Sequence, residues 1–479
     1  MTAHTTMVPT PRNTTVPTPL SRVDIAGLSA LVAGPVLLPG DTGYPPECAA
    51  CNQATPMRPA VAVGATRATD VQAAVRFAAE RDLPVAVLAT GHQVTQSAEG
   101  AVLINMSRMA QVGIDPSQRL ARAGGGVRWR QVLGETDKYG LAPISGSSPT
   151  VGVAGYHLGG GHSPVMGRRY GYAADHVQAL EIVTADGELR RVTANSDPDL
   201  FWALRGGGKG NFGVITALEF TLFPVKTFYG GGLYFAADHA ETVLHAWREW
   251  VTGLPPEMSS SAAFIRQPSV PEVPAPLRGT LALYVRFSSV GPKDAAERLL
   301  SPVRALAPTV LDTITHQPYR RALSAAPTEP VSWVARSAAL RDFPAEAADA
   351  LLTLAGPDSD SVLRFVELRA LGGALECRPA VPNAVPGRGA RFSLSGSGDG
   401  RPGANLVARE QLTTLTAAVA PWAQDEIMPN FLGTDQGKTP GELRAVYGPQ
   451  RYNQLAAIKE WYDPANVFRM SMSYDVSLR

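Results

Sequence analysis

Cysteine and excess charge are both scarce in this sequence. The 479 residues include three cysteines, and Cys48 and Cys51 form a lone C-x-x-C without a second Cys or His pair at zinc spacing. The 43 basic and 42 acidic residues leave a formal net charge of +1, which gives no electrostatic footprint for nucleic acid. No apolar run is long enough to span a membrane. Residues 1–20 are rich in Thr and Pro and lack the features of a signal peptide, so we predict a disordered tail and a cytoplasmic protein.

Glycine, in contrast, is concentrated in residues 145–167. Glycine loses more conformational entropy on folding than any other residue, so this density needs a reason. Close approach of backbone N–H groups to a ligand is the usual reason. Val151, Val153, Tyr156 and Leu158 are interleaved with the glycines, which argues against a flexible linker. The segment therefore predicts a packed cradle for a ligand.

Strand and helix patterns alternate in the first half of the chain. Apolar runs at 59–63, 83–88 and 101–106 are typical of buried strands, and residues 69–79 show a helical pattern opened by a capping box. This alternation indicates an α/β or α+β fold. From about residue 226 to 429 the glycine clusters thin out, so we predict an inserted second domain there.

Several familiar motifs are incomplete. Residues 208–213 read Gly-Lys-Gly-Asn-Phe-Gly, but a helix pattern precedes them and a strand pattern follows, the reverse of a dinucleotide-binding Rossmann motif. His157 and His162 lie five residues apart with no third ligand nearby, so no metal site is predicted. No G-x-S-x-G elbow occurs, which disfavours an α/β-hydrolase. The glycine-rich segments around 125, 155 and 208, together with His92 at the end of a tight turn, fit one extended dinucleotide cofactor.

Six short sequence motifs, spread over the chain, occur together in this protein. The segments are Ala-Thr-Gly-His at 89–92, Gly-Ser-Ser-Pro-Thr-Val-Gly-Val-Ala-Gly at 146–155, Tyr170-Gly171 with Asp175, the glycine-rich 207–213, Pro-Asn-Phe at 429–431 and Tyr-Asp-Pro-Ala-Asn-Val-Phe at 462–468. In this combination the chain resembles the FAD-linked oxidases of the p-cresol methylhydroxylase and vanillyl-alcohol oxidase superfamily. The closest resemblance is to the berberine bridge enzyme-like branch.

The resemblance implies an α+β fold with a two-subdomain, PCMH-type FAD-binding domain built from both ends of the chain. A substrate domain of antiparallel sheet covered by helices is inserted into it. We therefore expect residues 1–33 to form a disordered tail and lead-in, 34–225 the FAD-binding domain, 226–420 the substrate-binding domain, and 421–479 a berberine-bridge-like segment that completes the FAD domain.

The resemblance also implies FAD bonded covalently through His92. Many family members carry a second linkage through a cysteine where this chain has Ser148, so one bond is expected. Val151 would lie over the flavin, at a position where valine accompanies oxidase activity. The residues expected to bind the cofactor are Ala89, Thr90, Gly91, His92, Gln93, Gly146, Ser147, Ser148, Thr150, Val151, Gly152, Gly155, Tyr156, Gly160, Gly213, Val214, Ile215 and Asn430.

The chemistry implied is a two-electron oxidation of a small molecule, with O2 as acceptor. Alcohol oxidation, amine oxidation and oxidative cyclisation all stay open, and a secondary metabolite is the expected substrate. No nucleic-acid or membrane partner is expected, and the sequence does not indicate an oligomeric state. The family's acidic base aligns with Ala380, so the general base is open among Tyr447, Glu376, Tyr156 and His162. A non-redox role, with flavin as the scaffold of a cyclase or ligand-binding protein, is the alternative.

Overall fold

Three β-sheets organise the chain in the computed structural model, which describes residues 20–323, 330–471 and 474. The first sheet is mixed, with strand order β1-β2-β4-β3 and parallel pairing among β2, β4 and β3. Its strands read as short runs of Val, Ala, Leu and Ile, as expected for strands covered on both faces. Its strands are β1 (Val36–Leu37), β2 (Val61–Gly64), β3 (Val85–Leu88) and β4 (Val102–Asn105).

The second sheet is antiparallel, in the order β5-β6-β9-β7-β8. The turn between β7 and β8 is held by Asp186, which accepts hydrogen bonds from the Thr184 hydroxyl at 2.7 Å and the Glu188 N–H at 3.0 Å. The strands are β5 (Val112–Asp115), β6 (Leu120–Gly124), β7 (Val177–Val183), β8 (Leu189–Val192) and β9 (Val214–Thr221).

The third sheet is larger and also antiparallel. Its order is β13-β10-β12-β11-β16-β17-β15-β18, and β14 pairs with β10 as well. Its strands are β10 (Thr227–Ala236), β11 (Met258–Arg266), β12 (Leu281–Ser289), β13 (Thr309–Asp312), β14 (Thr315–Pro318), β15 (Trp333–Leu340), β16 (Phe365–Ala370), β17 (Phe392–Asp399) and β18 (Ala423–Gln424).

Helices cover the sheets and fill the space between them. In chain order they are α1 (Arg22–Leu31), α2 (Tyr44–Glu47), α3 (Ala68–Glu80), α4 (Trp129–Thr136), α5 (Val153–Leu158), α6 (Gly167–Tyr170), α7 (Pro198–Gly207), α8 (Ala240–Trp250), α9 (Lys293–Arg304), α10 (Ala345–Ala355), α11 (Ala404–Ala418), α12 (Pro440–Tyr447) and α13 (Pro449–Tyr462). Among the described residues, none of these helices combines the length and apolar character needed to cross a membrane.

The third sheet has two chemically different faces, because successive side chains of a strand point to opposite sides. One face carries apolar residues such as Leu283, Leu368 and Leu394, which pack with Trp247 of α8 and Leu412 of α11 in one core. The opposite face is largely polar. In register across it lie Tyr234, Tyr284, Arg286, Ser261, Glu367, Arg369, Ser393, Ser395 and Ser337. This polar face is the side that meets the cavity described below.

The N-terminal region differs from the sequence prediction. Residues 1–19 lie outside the described residues, but the predicted lead-in includes α1, whose Ser21 and Asp24 form a capping box. Ile25 and Leu28 of this helix are buried in the core of the first sheet. The sequence analysis predicted a disordered tail for residues 1–20 and did not predict a helix in the lead-in that follows.

The predicted cap of α3 is also corrected. The helix begins at Ala68 after the N-cap Arg67, and no side chain caps its first N–H groups. The Asp70 carboxylate accepts hydrogen bonds from the N–H of Thr66 at 2.9 Å and from the N–H of Ala33 at 3.0 Å. The carboxylate thus ties the helix to the preceding turn and to the end of α1.

Residues after 440 pack against the core of the second sheet. Tyr447, Tyr452 and Leu455 share that core with strand residues such as Leu218. Beyond α13, the Asp463 carboxylate accepts hydrogen bonds from the N–H groups of Val467 and Phe468, at 2.7 and 2.8 Å. The two ends of the chain therefore meet in one folded unit, around strands β5–β9.

Candidate active site

A cavity of about 470 Å³ lies where the loops of the first two sheets meet the polar face of the third. Its size is that of a pocket for a small ligand or cofactor. The main contributors are the loop 89–96 after β3, residues 146–156 with α5, residues 209–215, the sheet residues Trp333, Ala335, Arg369 and Ser395, and the C-terminal segment 428–434.

The turn after β3 is built to bring backbone close to a ligand. Gly91 has a φ of +68°, and a Cβ there would lie 2.5 Å from the Cβ of Ala50, so a larger residue would force the turn apart. The backbone N–H groups of residues 91–93 donate to no described residue. Successive free N–H groups in a turn form a concave site for an anion.

His92 lines the cavity, and its imidazole is held by two neighbouring side chains. Its Nε2 lies 3.0 Å from the Thr150 hydroxyl, which in turn lies 3.1 Å from the Ser148 hydroxyl. The imidazole packs 5.9 Å, centroid to centroid, from the ring of Trp333. Burial lowers the pKa of His92 to about 4, so the ring is neutral at neutral pH. A neutral imidazole is nucleophilic at its unprotonated nitrogen.

The glycine-rich run at 146–155 lines the cavity and leads into α5. A Cβ at Gly155 would meet no atom within 4 Å, so this glycine leaves open space where a side chain would project. Tyr156 packs edge-on against Trp129, at 5.2 Å between ring centroids. Its buried hydroxyl has no hydrogen-bond partner among the described residues. Burial raises the pKa of Tyr156 well above its ordinary value, so the group remains a phenol.

The C-terminal segment is tied directly to the glycine run. The Asn430 carboxamide accepts a hydrogen bond from the N–H of Gly161 at 2.7 Å and donates one to the carbonyl of Gly155 at 3.2 Å. Gln93 donates to the carbonyls of Pro429 and Leu432, both at 2.8 Å. The loop after β3 and the glycine run are thus fastened to the same short segment from the other end of the chain.

Most residues expected to bind the cofactor line this cavity. Three of them do not. Thr150 contacts His92, Gly160 packs against Met428, and the Val214 side chain is buried in the core of the first sheet. The lining set consists of Ala89, Thr90, Gly91, His92, Gln93, Gly146, Ser147, Ser148, Val151, Gly152, Gly155, Tyr156, Gly213, Ile215 and Asn430.

The catalytic candidates separate in the structure. Tyr156 and His162 line the cavity. Tyr447 is buried in the core of the second sheet, where its hydroxyl donates to the carbonyl of Gly206 at 3.2 Å. Glu376 is exposed and lines a separate cavity of about 160 Å³ with Arg168. The positions of Tyr447 and Glu376 do not fit the predicted role of general base, because neither carries its proton-accepting oxygen into the main cavity.

Two charged side chains of the cavity have no counterpart in the sequence prediction. Lys209 lies in the segment 208–213, and its ammonium hydrogen bonds with Gln93. Burial lowers the pKa of Lys209 to about 7. Arg369 extends from β16 and stacks over the ring of Phe431, 5.3 Å from its centroid. Lys209 could have been found from the sequence, because it is the lysine of the glycine motif at 208–213. Nothing in the local sequence marks Arg369 as a site residue.

The cavity fits a bound FAD. The free N–H groups of the turn suit a pyrophosphate, and the open space at Gly155 leaves room for a flat ring system. The phenol of Tyr156 and Nδ1 of His162 are buried polar atoms without a described partner, as expected where a ligand supplies one. The residues that would hold the cofactor come from both ends of the chain.

Comparison with known proteins agrees with this description. The family of FAD binding domains matches residues 59–193. (R)-6-hydroxynicotine oxidase of Paenarthrobacter nicotinovorans is 28% identical over 473 residues, covering 93% of this chain and 97% of that protein. The solved structure of 6-hydroxy-D-nicotine oxidase from Arthrobacter nicotinovorans superimposes with a TM-score of 0.76 at 25% identity, covering 93% of this chain and 98% of that one. The berberine bridge enzyme-like protein 1 of Physcomitrella patens gives a TM-score of 0.79 at 19% identity, covering 93% and 97%.

The fold and the cavity together define an FAD-dependent oxidoreductase, and the predicted α+β, PCMH-type architecture is confirmed. Within that class, these matches support the resemblance to the FAD-linked oxidases of the p-cresol methylhydroxylase and vanillyl-alcohol oxidase superfamily. The chain also shares its fold with a berberine bridge enzyme-like protein.

Proposed function

We propose that this protein is a flavin-dependent oxidase that removes two electrons from a small molecule and passes them to molecular oxygen. The observation that carries the proposal is the cavity shared by the cofactor-binding loops and the polar face of the third sheet. His92 of the loop after β3 and Arg369 of the third sheet both line this space. A substrate held on the sheet would lie against a flavin held by the loops, which is the proximity that hydride transfer requires.

FAD supplies the electron-accepting chemistry when it is bound, taking hydride from a substrate carbon and giving hydrogen peroxide on reoxidation. The protein contributes placement. The N–H groups of residues 91–93 would receive phosphate oxygens, and Asn430 holds the glycine run in position. Trp333 and Phe431 place apolar rings along the cavity, which limits the access of water to the reacting atoms.

Tyr156 and His162 are the side chains proposed to orient the substrate's oxidisable group. Burial, with the nearby Arg369 as the next cause, lowers the pKa of His162 to about 3. The imidazole is therefore neutral, and its Nδ1 is free to accept a hydrogen bond from a substrate hydroxyl or amine. The Tyr156 phenol remains protonated and serves as a donor. We assign these residues a positioning role, because a base of such low pKa removes protons poorly at neutral pH.

We also propose that FAD is attached covalently through His92 and through no second residue. Support comes from the neutral imidazole, held by Thr150 and Trp333 in one orientation within the cavity. Ser148, at the position of the family's second linkage, presents a hydroxyl, a far poorer nucleophile than a thiolate at neutral pH.

Acid precipitation tests the attachment. The wild-type pellet is expected to stay yellow, and a peptide containing His92 is expected to carry the mass of FAD. The His92→Ala variant should release its flavin to the supernatant. A colourless wild-type pellet would contradict covalent attachment without affecting the assignment of FAD as cofactor.

Anaerobic titration tests the oxidase proposal. Addition of a true substrate is expected to bleach the visible flavin absorbance, and readmission of air should restore it with one hydrogen peroxide per turnover. Turnover of a compound with the flavin spectrum unchanged would instead support a flavin-scaffolded cyclase. We propose a secondary metabolite as the substrate. One relative is named as a 6-hydroxynicotine oxidase, and another protein of the same fold is named as a chitooligosaccharide oxidase, so a broad panel of substrates is needed.

A further inference from the structure

The charged side chains on the polar face of the third sheet are not balanced. Glu367 and Arg369 lie two residues apart on β16, and Arg286 lies on β12. Strand β11 runs between β12 and β16. The register places Ser261 of β11 directly between them, opposite both Arg286 and Arg369. Two guanidinium groups and one carboxylate therefore lie on this part of the polar face, and Arg369 is the member of the three that lines the cavity.

The hydrogen bonds of Glu367 are already used within the protein. Its carboxylate accepts from the Ser261 hydroxyl at 2.8 Å and from Nε of Arg369 at 2.6 Å. The Glu367 side chain is 1% exposed, and that of Arg369 is 19% exposed. Glu367 thus lies behind Arg369, and the positive group of the pair is the one that reaches the cavity.

Arg369 keeps donors available for a ligand. Its Nε is engaged with Glu367, while Nη1 and Nη2 donate to no described residue. A guanidinium held by one edge presents its remaining N–H groups as a planar fork, the geometry that matches a carboxylate. The ring of Phe431 beneath the guanidinium fixes its plane.

Two neutral polar groups and a second cation lie around Arg369. His162 packs 5.9 Å from the Phe431 ring, and its Nδ1 is buried without a described partner. Tyr156 adds a second buried atom of this kind, a phenol oxygen. Arg286 adds positive charge, with its guanidinium 5.9 Å from the centroid of the Tyr284 ring. A protonated amine placed here would meet an excess of like charge at low dielectric.

From this arrangement we propose that Arg369, supported by Arg286 and held in place by Glu367, binds a carboxylate of the substrate. The substrate class is therefore an organic acid whose oxidisable carbon lies within the same cavity. The inference rests on the proposed oxidase function, because the bound acid is a substrate only if the protein oxidises it. The binding of the carboxylate can nevertheless be measured without turnover.

Titration of the flavin-loaded protein with benzoate and with benzamide tests the proposal. The two probes have nearly the same shape and differ in charge, and binding is followed by the change in the visible flavin spectrum and by calorimetry. Benzoate is expected to bind at least about tenfold more tightly than benzamide, as charge-assisted hydrogen bonds predict. The Arg369→Gln variant should lose that preference.

The variants are chosen to separate lost recognition from lost folding. Because Arg369→Gln leaves Glu367 buried without its partner, the double variant Glu367→Gln, Arg369→Gln removes both charges and retains similar shapes. The control is Arg364→Gln, which changes an arginine just before the same strand that is 65% exposed. The control should bind benzoate as the wild type does. The double variant should show a much smaller preference for benzoate over benzamide, because Arg286 remains but offers no fork in the cavity.

Two results would overturn the carboxylate site. One is equal affinity of the wild type for benzoate and benzamide, and the other is an undiminished benzoate preference in the folded double variant. Failure of the oxidase proposal looks different, because flavin that no compound bleaches leaves the Arg369-dependent binding of benzoate intact.

Discussion

Two buried histidines should make the protein lose stability between pH 7 and pH 5, above the range where carboxylates titrate. His157 lies in the core of the second sheet, with Nδ1 2.8 Å from the carbonyl of Val153 and its ring 4.6 Å from that of Phe220. His162 lies in the cavity. Burial lowers the pKa of His157 to about 4 and that of His162 to about 3.

The direction and the size of this stability change follow from the linkage between proton binding and folding. Both folded-state pKa values lie below the unfolded value of about 6.5, so the unfolded chain binds more protons and stability falls as pH falls. At pH 5 both rings are still neutral in the folded protein. Protonation of each in the unfolded chain then favours unfolding by about 2 kcal/mol, against a few tenths at pH 7. The pair should therefore cost about 4 kcal/mol, a large share of a typical total stability of about 5–15 kcal/mol.

Urea denaturation of the flavin-loaded protein at pH 7, 6 and 5, followed by circular dichroism, measures this loss. The His157→Gln variant should be less stable at pH 7 but should lose only about half as much between pH 7 and pH 5. The matched control is Phe220→Leu, which loosens the same core without removing a titrating group and should keep the full pH dependence. A wild-type stability that is flat over this range, or an undiminished loss in His157→Gln, would refute the reasoning.

Three further variants test the cofactor site and its support. Val151→Leu should slow the reaction of reduced flavin with oxygen by about tenfold or more and leave the rate of flavin reduction unchanged, both measured by stopped-flow absorbance. Equal rates of reoxidation in the two proteins would contradict Val151 as the residue that controls oxygen access. Thr150→Val removes the hydroxyl that holds Nε2 of His92, so the acid-precipitated pellet should carry less flavin; an equal amount would mean that Thr150 does not orient the ring. Lys459→Met leaves the fully buried Asp463 unpaired and should cost about 3–5 kcal/mol of unfolding free energy in urea; a loss below about 1 kcal/mol would show that the pair is not structural.

The features predictable from sequence are those specified by local chemistry. The turn between β7 and β8 is one example, because Ala-Asp-Gly at 185–187 has the residue types that favour a turn between paired strands. The turn at His92 was recognisable since its small residues allow close backbone approach, and Gly91 has the positive φ that such a turn needs. Both signals are contained within a few consecutive residues.

The substrate side of the cavity was not predictable for the opposite reason. Glu367 and Arg369 alternate with apolar residues along β16, a pattern that would equally suit a solvent-exposed sheet face. What makes them part of the site is the pairing of β16 with β11, whose Ser261 lies more than a hundred residues earlier in the chain. The sequence likewise does not show that the helix carrying Tyr447, one of the candidate bases, packs its hydroxyl inward against Gly206.

Lys209 gives the remaining prediction, because it is a buried cation in a cofactor site. Its side chain crosses Gly159, where a Cβ would lie 2.9 Å from the lysine Cδ, and its ammonium meets the carboxamide of Gln93. Burial alone lowers the pKa of Lys209 to about 7, so half of the ammonium charge is lost at neutral pH in the protein alone. An anionic group of FAD would restore that charge and form a charge-assisted hydrogen bond with it.

Binding of FAD should therefore take up a proton, and Lys209→Met should weaken it. Covalent attachment would mask the equilibrium, so the measurement uses His92→Ala as background and follows quenching of FAD fluorescence. Lys209→Met is expected to raise the dissociation constant by at least about tenfold at pH 7. In the parent variant the affinity should fall as pH rises above about 7, because the cofactor-free lysine has then lost its proton, and Lys209→Met should remove this dependence. Lys438→Met, which changes an exposed lysine, is the control. If Lys209→Met leaves both the affinity and its pH dependence unchanged, Lys209 only fills space beside Gly159, and its charge plays no part in holding the cofactor.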